Sequence, residues 1–362
     1  MIPIAAPELG PDEHERVLDV LDGGHLADGP EVRRFEAEFA AFCGAGHGVA
    51  TANGTTALHA AFEALDVGAG DRVITSPFSF VASANAVRLA GAEPVFADVD
   101  PETFTLDPAA VEEEIRRRDG DVTAILAVHL YGLPAEMGAL ADLADDYDLA
   151  LVEDAAQAHG AEYEGRRVGS LGDAACFSFY PTKNMTTGEG GIVTTDDAAV
   201  AERAASFVNH GRTADGPAYE HVRVGHNFRM TSLAAAIGRA QLERLPAFNE
   251  ARRANAAFYD EAFADAAVET PVEPAGRRHV YHQYTVRAAD RDGLAAHLDE
   301  RGVDTAVYYP TPIHDQPAYD DVTAAAPVAE RLAATVLSLP VHPALATDEL
   351  RAVASAIEDY EP

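Results

Sequence analysis

Two ionisable residues sit where the surrounding sequence would strip them of water. Lys183 follows Phe177-Ser178-Phe179-Tyr180-Pro181-Thr182, whose alternating apolar and small residues read as a buried strand that breaks at Pro181. It precedes Gly188-Glu189-Gly190-Gly191, where bulky side chains are absent. An amine between an apolar strand and a glycine-rich loop loses hydration, which lowers its pKa and makes it a usable nucleophile. In a solvated turn the same lysine would do no chemistry. Asp154 ends the apolar run Leu149-Ala150-Leu151-Val152-Glu153, and a carboxylate at the end of a buried strand is costly unless a cation meets it. An aspartate facing a pyridinium nitrogen and a lysine forming a Schiff base are a protein's share of pyridoxal 5′-phosphate chemistry. Here the two occur in order, each led by strand character.

A third segment could serve the same ligand. Ala52-Asn53-Gly54-Thr55-Thr56-Ala57 lies between a strand and a helix. Unpaired backbone donors at the helix start can receive a phosphate, and the glycine permits close approach. Ser178 can add a hydroxyl. Taken alone, the segment is equally a capped helix.

The elements that would position these residues alternate. Apolar strands are expected at 48–51, 72–75, 94–97, 122–128, 149–153, 174–178 and 191–195, and helices at 55–65, 79–90, 108–117, 136–146 and 197–208. That alternation implies an α/β fold with a mainly parallel seven-stranded sheet flanked by helices on both faces. Ligands of such sheets sit at the carboxyl ends of strands, where Asp154 and Lys183 fall. Residues 1–25 read as an amino-terminal arm with a helix from Pro11 to Leu21, closed by Gly23-Gly24. A second helix follows Gly29-Pro30 and ends at Gly44. The large domain is expected over 26–245 and a smaller C-terminal α+β domain over 246–362. Helices are expected at Ser232–Leu245 and Phe248–Ala264. They lead to a strand at 284–287, a helix at 290–301, a strand at 303–308 and a closing helix at 348–359.

Composition narrows the partners. In 362 residues, 60 acidic side chains face 26 lysines and arginines, a net charge of −34. A polyanion would be repelled, which argues against nucleic acid. Few lysines and so large an acidic excess suggest adaptation to high salt, where screening tames self-repulsion. Cys43 and Cys176 lack metal-ligand spacing and read as buried free thiols. Met1-Ile2-Pro3-Ile4 opens no signal peptide and no run approaches a membrane span, so a cytoplasmic protein without a membrane partner is expected.

The chain resembles the DegT/StrS-type sugar aminotransferases of fold type I. The resemblance is carried by Asn53-Gly54-Thr55-Thr56-Ala57-Leu58, Pro77-Phe78-Ser79-Phe80, Glu153-Asp154-Ala155-Ala156-Gln157, Phe177-Ser178-Phe179, Lys183-Asn184, Gly188-Glu189-Gly190-Gly191 and Gly225-His226-Asn227-Phe228-Arg229-Met230. It implies that Lys183 holds the cofactor (pyridoxal phosphate, cycling through pyridoxamine phosphate) and later shuttles a proton, while Asp154 pairs with the ring nitrogen. It further implies that Gln157 bonds the ring hydroxyl, Phe80 stacks on the ring with Phe78 as the competing aromatic, and Gly54, Thr55 and Ser178 hold the phosphate. Asn227 would reach the neighbouring subunit's cofactor in a homodimer with shared sites. Tyr309, His314 and Arg229 would lie near the substrate. No arginine stands out in the sequence as a bidentate carboxylate clamp, Arg212 and Arg229 being the ones to examine. Lysine rather than histidine at 183 implies transamination rather than dehydration. His25 replaces a tryptophan common in relatives, and His226 a tyrosine. His159 reads as structural. The implied reaction moves an amino group, from glutamate, to a nucleotide-linked keto-sugar. A keto-cyclitol acceptor, a sugar dehydratase and a non-catalytic regulatory homologue are the alternatives.

Overall fold

Short runs of Val, Ile, Ala and Phe become strands buried on both faces, as a sheet covered on both sides requires. The computed structural model describes residues 1–214, 216, 217 and 219–361. The large sheet contains β1 (His47–Thr51), β2 (Arg72–Thr75), β3 (Glu93–Phe96), β4 (Ala124–Val128) and β5 (Ala150–Asp154). After a hairpin of β6 (Glu162–Tyr163) and β7 (Arg166–Arg167), it is completed by β8 (Ala174–Ser178) and β9 (Gly191–Thr195). The strand order is β1-β9-β8-β5-β4-β2-β3. Four neighbouring pairs are parallel, while β9 runs antiparallel to both β8 and β1. All seven expected strands are present, with ends shifted by a residue or two.

The inverted strand has a consequence for the site. Because β9 is antiparallel to both neighbours, β1 regains the direction of β5 and β8. The carboxyl ends of β1, β5 and β8 therefore emerge on one edge. Gly191 lies opposite Thr51 on one side and Ser178 on the other. A Cβ at Gly191 would overlap the Asn53 carbonyl, so glycine is what lets the loop after β1 close against β9.

Helices α1 (Pro11–Gly23), α2 (Pro30–Cys43), α3 (Gly54–Ala64), α4 (Ala82–Leu89), α5 (Pro108–Arg117), α6 (Met137–Tyr147) and α7 (Ala198–Val208) pack around the sheet. Pro11 and Pro30 open α1 and α2 as expected, Pro108 opens α5, and Asn53, Asp107 and Asp197 cap α3, α5 and α7 through their side chains. Gly24 closes α1 in the left-handed region at φ 73°.

The carboxyl-terminal part departs from expectation in two places. Instead of two helices, α8 runs unbroken from Ser232 to Ala262 with Pro246 inside it. Proline removes one backbone hydrogen bond. However, the buried face Leu242, Leu245, Phe248, Asn249, Arg252 and Ala256 keeps helical spacing across it, and packing overrides the local penalty. The expected strand at 303–308 is reduced to isolated bridges, Ile2 with Val303 and Ala306 with Ser338. Past β10 (Arg277–Arg278), β11 (Tyr284–Arg287) pairs instead with β12 (Val336–Leu339). That run is buried throughout and wins over a stretch interrupted by Asp304 and Thr305. Helices α9 (Arg291–Glu300), α10 (Pro327–Thr335) and α11 (Thr347–Glu358) complete this part. Among the described residues, no helix is long and apolar enough to cross a membrane.

Candidate active site

The first turn of α3 is an anion cradle. Asn53 caps the helix, its Oδ1 accepting from Thr56 N–H at 3.0 Å, and the Thr56 hydroxyl donates back to the Asn53 carbonyl at 2.8 Å. The N–H groups of Gly54 and Thr55 stand at the helix start, where the helix offers no acceptor four residues back. A Cβ on Gly54 would lie 2.7 Å from that of Ser178. Glycine thus brings this turn against the end of β8, and the Ser178 hydroxyl faces the same gap. The segment before α8 joins them: Ala52 N–H donates to the Phe228 carbonyl at 2.7 Å, and Thr51 bridges Arg229.

Asp154, at the end of β5, is buried. Its Oδ2 accepts from the Ser83 hydroxyl at 2.7 Å and its Oδ1 from Ala156 N–H at 3.2 Å. Burial raises its pKa above the ordinary carboxylate value despite those two bonds and the nearby Lys183 charge. Among the described ion pairs none involves Asp154. A buried carboxyl without a cation in contact suits the ring nitrogen of a pyridinium.

Lys183 lies in a turn closed by its own N–H donating to the Tyr180 carbonyl at 2.9 Å. Loss of hydration pushes its pKa down to about 8, with the Asp154 charge pulling the other way. Asn184 fixes the turn. Its Nδ2 donates to Asn249 Oδ1 at 2.9 Å and to the Val280 carbonyl at 3.0 Å. Lys183 is the only lysine in the chain: all other members of the 26 lysine-plus-arginine set are arginine. Counting residue types would have isolated it without any motif.

Gln157 uses both ends of its amide. Oε1 accepts from Tyr131 N–H at 2.7 Å, and Nε2 donates to the Tyr309 hydroxyl at 3.1 Å, leaving one N–H free. Burial, and secondarily the Asp154 charge, raise the Tyr309 phenol above its ordinary value. Phe80 is 55% exposed with its ring 6.0 Å from that of Tyr309, whereas Phe78 is 0% exposed. Phe78 is therefore core, and Phe80 is the aromatic free to cover a ring.

The remaining residues divide. The Asn227 side chain is exposed, with its backbone bridging Asn209, and Arg229 Nη1 donates to Asn209 Oδ1 at 2.7 Å. His226 stacks on Phe228 at 4.6 Å. Arg212 lies over the Tyr219 ring at 5.6 Å. His314 is buried near the Phe96 ring, 3.5 Å from Glu330, and among the described residues it is not hydrogen-bonded to Asp154 or Gln157. His159 sits among Phe39, Phe177 and Phe179 with neither ring nitrogen bonded, and burial lowers its pKa to about 3.

Glu153 was not legible as more than part of a motif. It points to the opposite face of β5 from Asp154. Its Oε2 accepts from His129 Nε2 at 3.0 Å and Gly169 N–H at 2.9 Å, and its Oε1 from Leu171 N–H at 2.8 Å and Gly172 N–H at 3.1 Å. The cradle, the unmatched carboxyl and the readily deprotonated amine together fit a phosphorylated pyridine aldehyde, with Gly54, Thr55 and Ser178 at the phosphate, Asp154 at the ring nitrogen and Lys183 at the aldehyde.

Comparisons with known proteins agree with this geometry. The family model of the DegT/DnrJ/EryC1/StrS aminotransferase family matches residues 7–358. The chain is 43% identical to a pleiotropic regulatory protein of Geobacillus stearothermophilus, over 95% of this chain and 93% of that one. It is 41% identical to the UDP-N-acetyl-3-dehydro-alpha-D-glucosamine 3-aminotransferase of Acidithiobacillus ferrooxidans, over 93% and 90% of the two chains. The solved structure of Streptomyces venezuelae DesV in complex with a ketimine intermediate superposes with a TM-score of 0.92 at 42% identity, covering 96% of this chain and 93% of that one.

Proposed function

The chain belongs to the DegT/DnrJ/EryC1/StrS aminotransferase family, a pyridoxal-phosphate-dependent transaminase family, and from that premise we propose that it aminates the keto group of a nucleotide-linked sugar, with glutamate as donor. When bound, the cofactor supplies an electron sink that stabilises negative charge at the donor α-carbon. The protein supplies the rest. The Gly54 and Thr55 N–H groups and the Ser178 hydroxyl hold the phosphate dianion. Asp154 keeps the ring nitrogen protonated. Phe80 would cover the ring, and the second Gln157 N–H would donate to its hydroxyl. Lys183 Nζ, deprotonated at an accessible pH, would take the proton from the donor α-carbon and deliver it to the cofactor C4′, and in the second half-reaction would carry a proton the opposite way, from C4′ to the acceptor carbon.

The observation that carries this reading is the pairing of a depressed-pKa lysine with a buried, cation-free aspartate on one sheet edge beside an anion cradle. The sugar class is supported by the Acidithiobacillus relative. Acceptor competition tests it. A 3-keto sugar linked to UDP or dTDP should accept the amine from glutamate with a kcat/KM at least ~10²-fold above that of small 2-oxo acids. The reverse preference makes this an amino-acid transaminase. The regulatory relative raises a second reading, a protein that binds cofactor without turnover; absence of amine transfer to any keto-sugar nucleotide or keto-cyclitol would favour it.

The functional unit in this proposal is a homodimer with shared sites. Support comes from Asn227, whose exposed side chain extends from the segment bonded to the phosphate cradle. Mixing inactive Lys183→Ala and Asn227→Ala subunits should then restore about a quarter of native activity, because one of the two sites in each hybrid carries neither defect and about half the dimers are hybrids. No recovery from demonstrated hybrids removes the shared site. We further place the protein in a cytoplasm of high salt, given two buried free thiols and the net charge of −34. The charges repel across a Debye length of about 10 Å at 0.1 M salt and about 3 Å at 1 M. The melting temperature should climb steeply between those concentrations, and a flat response discards salt adaptation. Division into an arm (1–25), a large domain (26–245) and a small domain (246–362) is part of the same proposal. The 245/246 boundary falls inside the unbroken helix α8 (Ser232–Ala262), so the two domains share that helix, and limited proteolysis tests the division: a first cut at 262–276 would move the boundary to the end of α8.

A further inference from the structure

We propose that Ser83 is a positioning residue for Asp154, and that the Ser79–Ser83 hydroxyl chain selects the carboxylate oxygen left free for the cofactor and favours the ionised form. This rests on the reading of Asp154 as the partner of the ring nitrogen. The Ser83 hydroxyl lies 2.7 Å from Asp154 Oδ2 and 2.8 Å from the Ser79 hydroxyl, and all three residues are buried. A hydroxyl has one proton. If Ser83 donates to the carboxylate, it must accept from Ser79, so the chain runs Ser79 to Ser83 to Asp154. Protonation of Oδ2 would reverse the second bond, and the arrangement therefore favours ionised Asp154.

Two further observations separate this role from simple satisfaction of a buried serine. Ser83 stands in the first turn of α4 (Ala82–Leu89), and its hydroxyl, besides meeting that of Ser79, reaches a strand end 71 residues later in sequence. The adjacent carboxylate, Glu153, receives four donors, whereas Asp154 receives two. Oδ2 is taken by Ser83. Oδ1 has only the 3.2 Å bond from Ala156 N–H and keeps lone-pair capacity for an incoming N–H.

The test measures pyridoxamine phosphate binding by fluorescence against pH, a readout independent of turnover and of any bond to Lys183. Native affinity should fall as pH falls through the ionisation of Asp154. Ser83→Ala, and the volume-preserving Ser83→Cys, should move that acid limb up by about one pH unit, a roughly tenfold loss of affinity on the limb. Ser83→Thr, which keeps the hydroxyl, should restore it, and Ser79→Ala should shift it less. In an Asp154→Asn background Ser83→Ala should change affinity less than about twofold. An unmoved limb in folded Ser83→Ala or Ser83→Cys protein overturns the proposal, as does an equal loss in the Asp154→Asn background. An Asp154→Asn protein that retains the native limb overturns it too, and locates the fault in the reading of Asp154 rather than in Ser83.

Discussion

Lys183→Ala should lower turnover by at least ~10⁴-fold, since it removes both the nucleophile and the proton carrier, while the melting temperature stays unchanged or rises slightly. The stability half follows from burial: an amine whose pKa is driven down to about 8 by lost hydration is not a favourable component of the fold. The chain offers an unusually clean check. With a single lysine in the sequence, borohydride treatment of the cofactor-loaded native protein should place the entire label on one peptide, the one containing Lys183. Native protein should lose its absorbance band near the visible on reduction, and the variant should show no label there. In the cofactor-free protein, the ε-amine should react with an amine reagent half-maximally near pH 8. Because burial favours the neutral form, the reactive fraction grows as pH rises through that value, about two units below an ordinary lysine. Turnover in the variant within tenfold of native, or label spread to other positions, would remove Lys183 from the chemistry.

Glu153→Ala should be among the most destabilising single polar substitutions at this edge, by about 3–5 kcal/mol. The carboxylate is fully buried, and its removal leaves Gly169, Leu171 and Gly172 N–H groups and the His129 ring without their acceptor. His129 Nδ1 accepts from Ala135 N–H at 3.0 Å, which leaves Nε2 carrying the proton that Glu153 receives. Glu153→Gln keeps one acceptor oxygen but turns an NH₂ towards donors, so an intermediate loss is expected. The pH dependence has a definite sign. Burial alone would raise the Glu153 pKa, but the hydrogen bond from His129 and those from the backbone N–H groups outweigh it and hold the carboxyl below its ordinary value. A depressed carboxylate contributes stability above the unfolded pKa of about 4.3 and loses it as pH falls through the folded value. Denaturant unfolding should therefore show the native advantage over Glu153→Gln intact at pH 7 and shrinking below about pH 4. A Glu153→Ala protein within about 0.5 kcal/mol of native at pH 7 would contradict the donor count.

Glu153 and Asp154 sit on opposite faces of β5. Successive residues of a strand point to opposite sides, so Glu153 ties β5 to the loop before β8 while Asp154 is presented to the ligand. One neighbour is saturated with donors and holds position; the other receives two and meets no cation.

By itself the sequence determined the sheet, the edge that carries the candidate site, and the two ionisable residues, Asp154 and Lys183, proposed to react there. Buried strands appear as short apolar runs, and helices announce themselves through Asn53, Pro11 and Pro30, because those signals act within a few residues. Lys183, Asp154 and the Asn53-Gly54-Thr55 turn were legible for the same reason: each lies beside the strand that positions it. What only the tertiary structure decided is which groups these residues meet. The inversion of β9 brings the α3 turn beside Ser178. The Ser83–Asp154, Gln157–Tyr309 and Asn184–Val280 bonds join residues 71, 152 and 96 positions apart. The choice of β12 over 303–308 as partner for β11, and the survival of α8 through Pro246, were likewise settled by burial against distant elements. Local patterns encode how a segment folds, since their energies arise between near neighbours. The partner of a side chain depends on strand order and helix packing, and those contacts leave no period in the sequence.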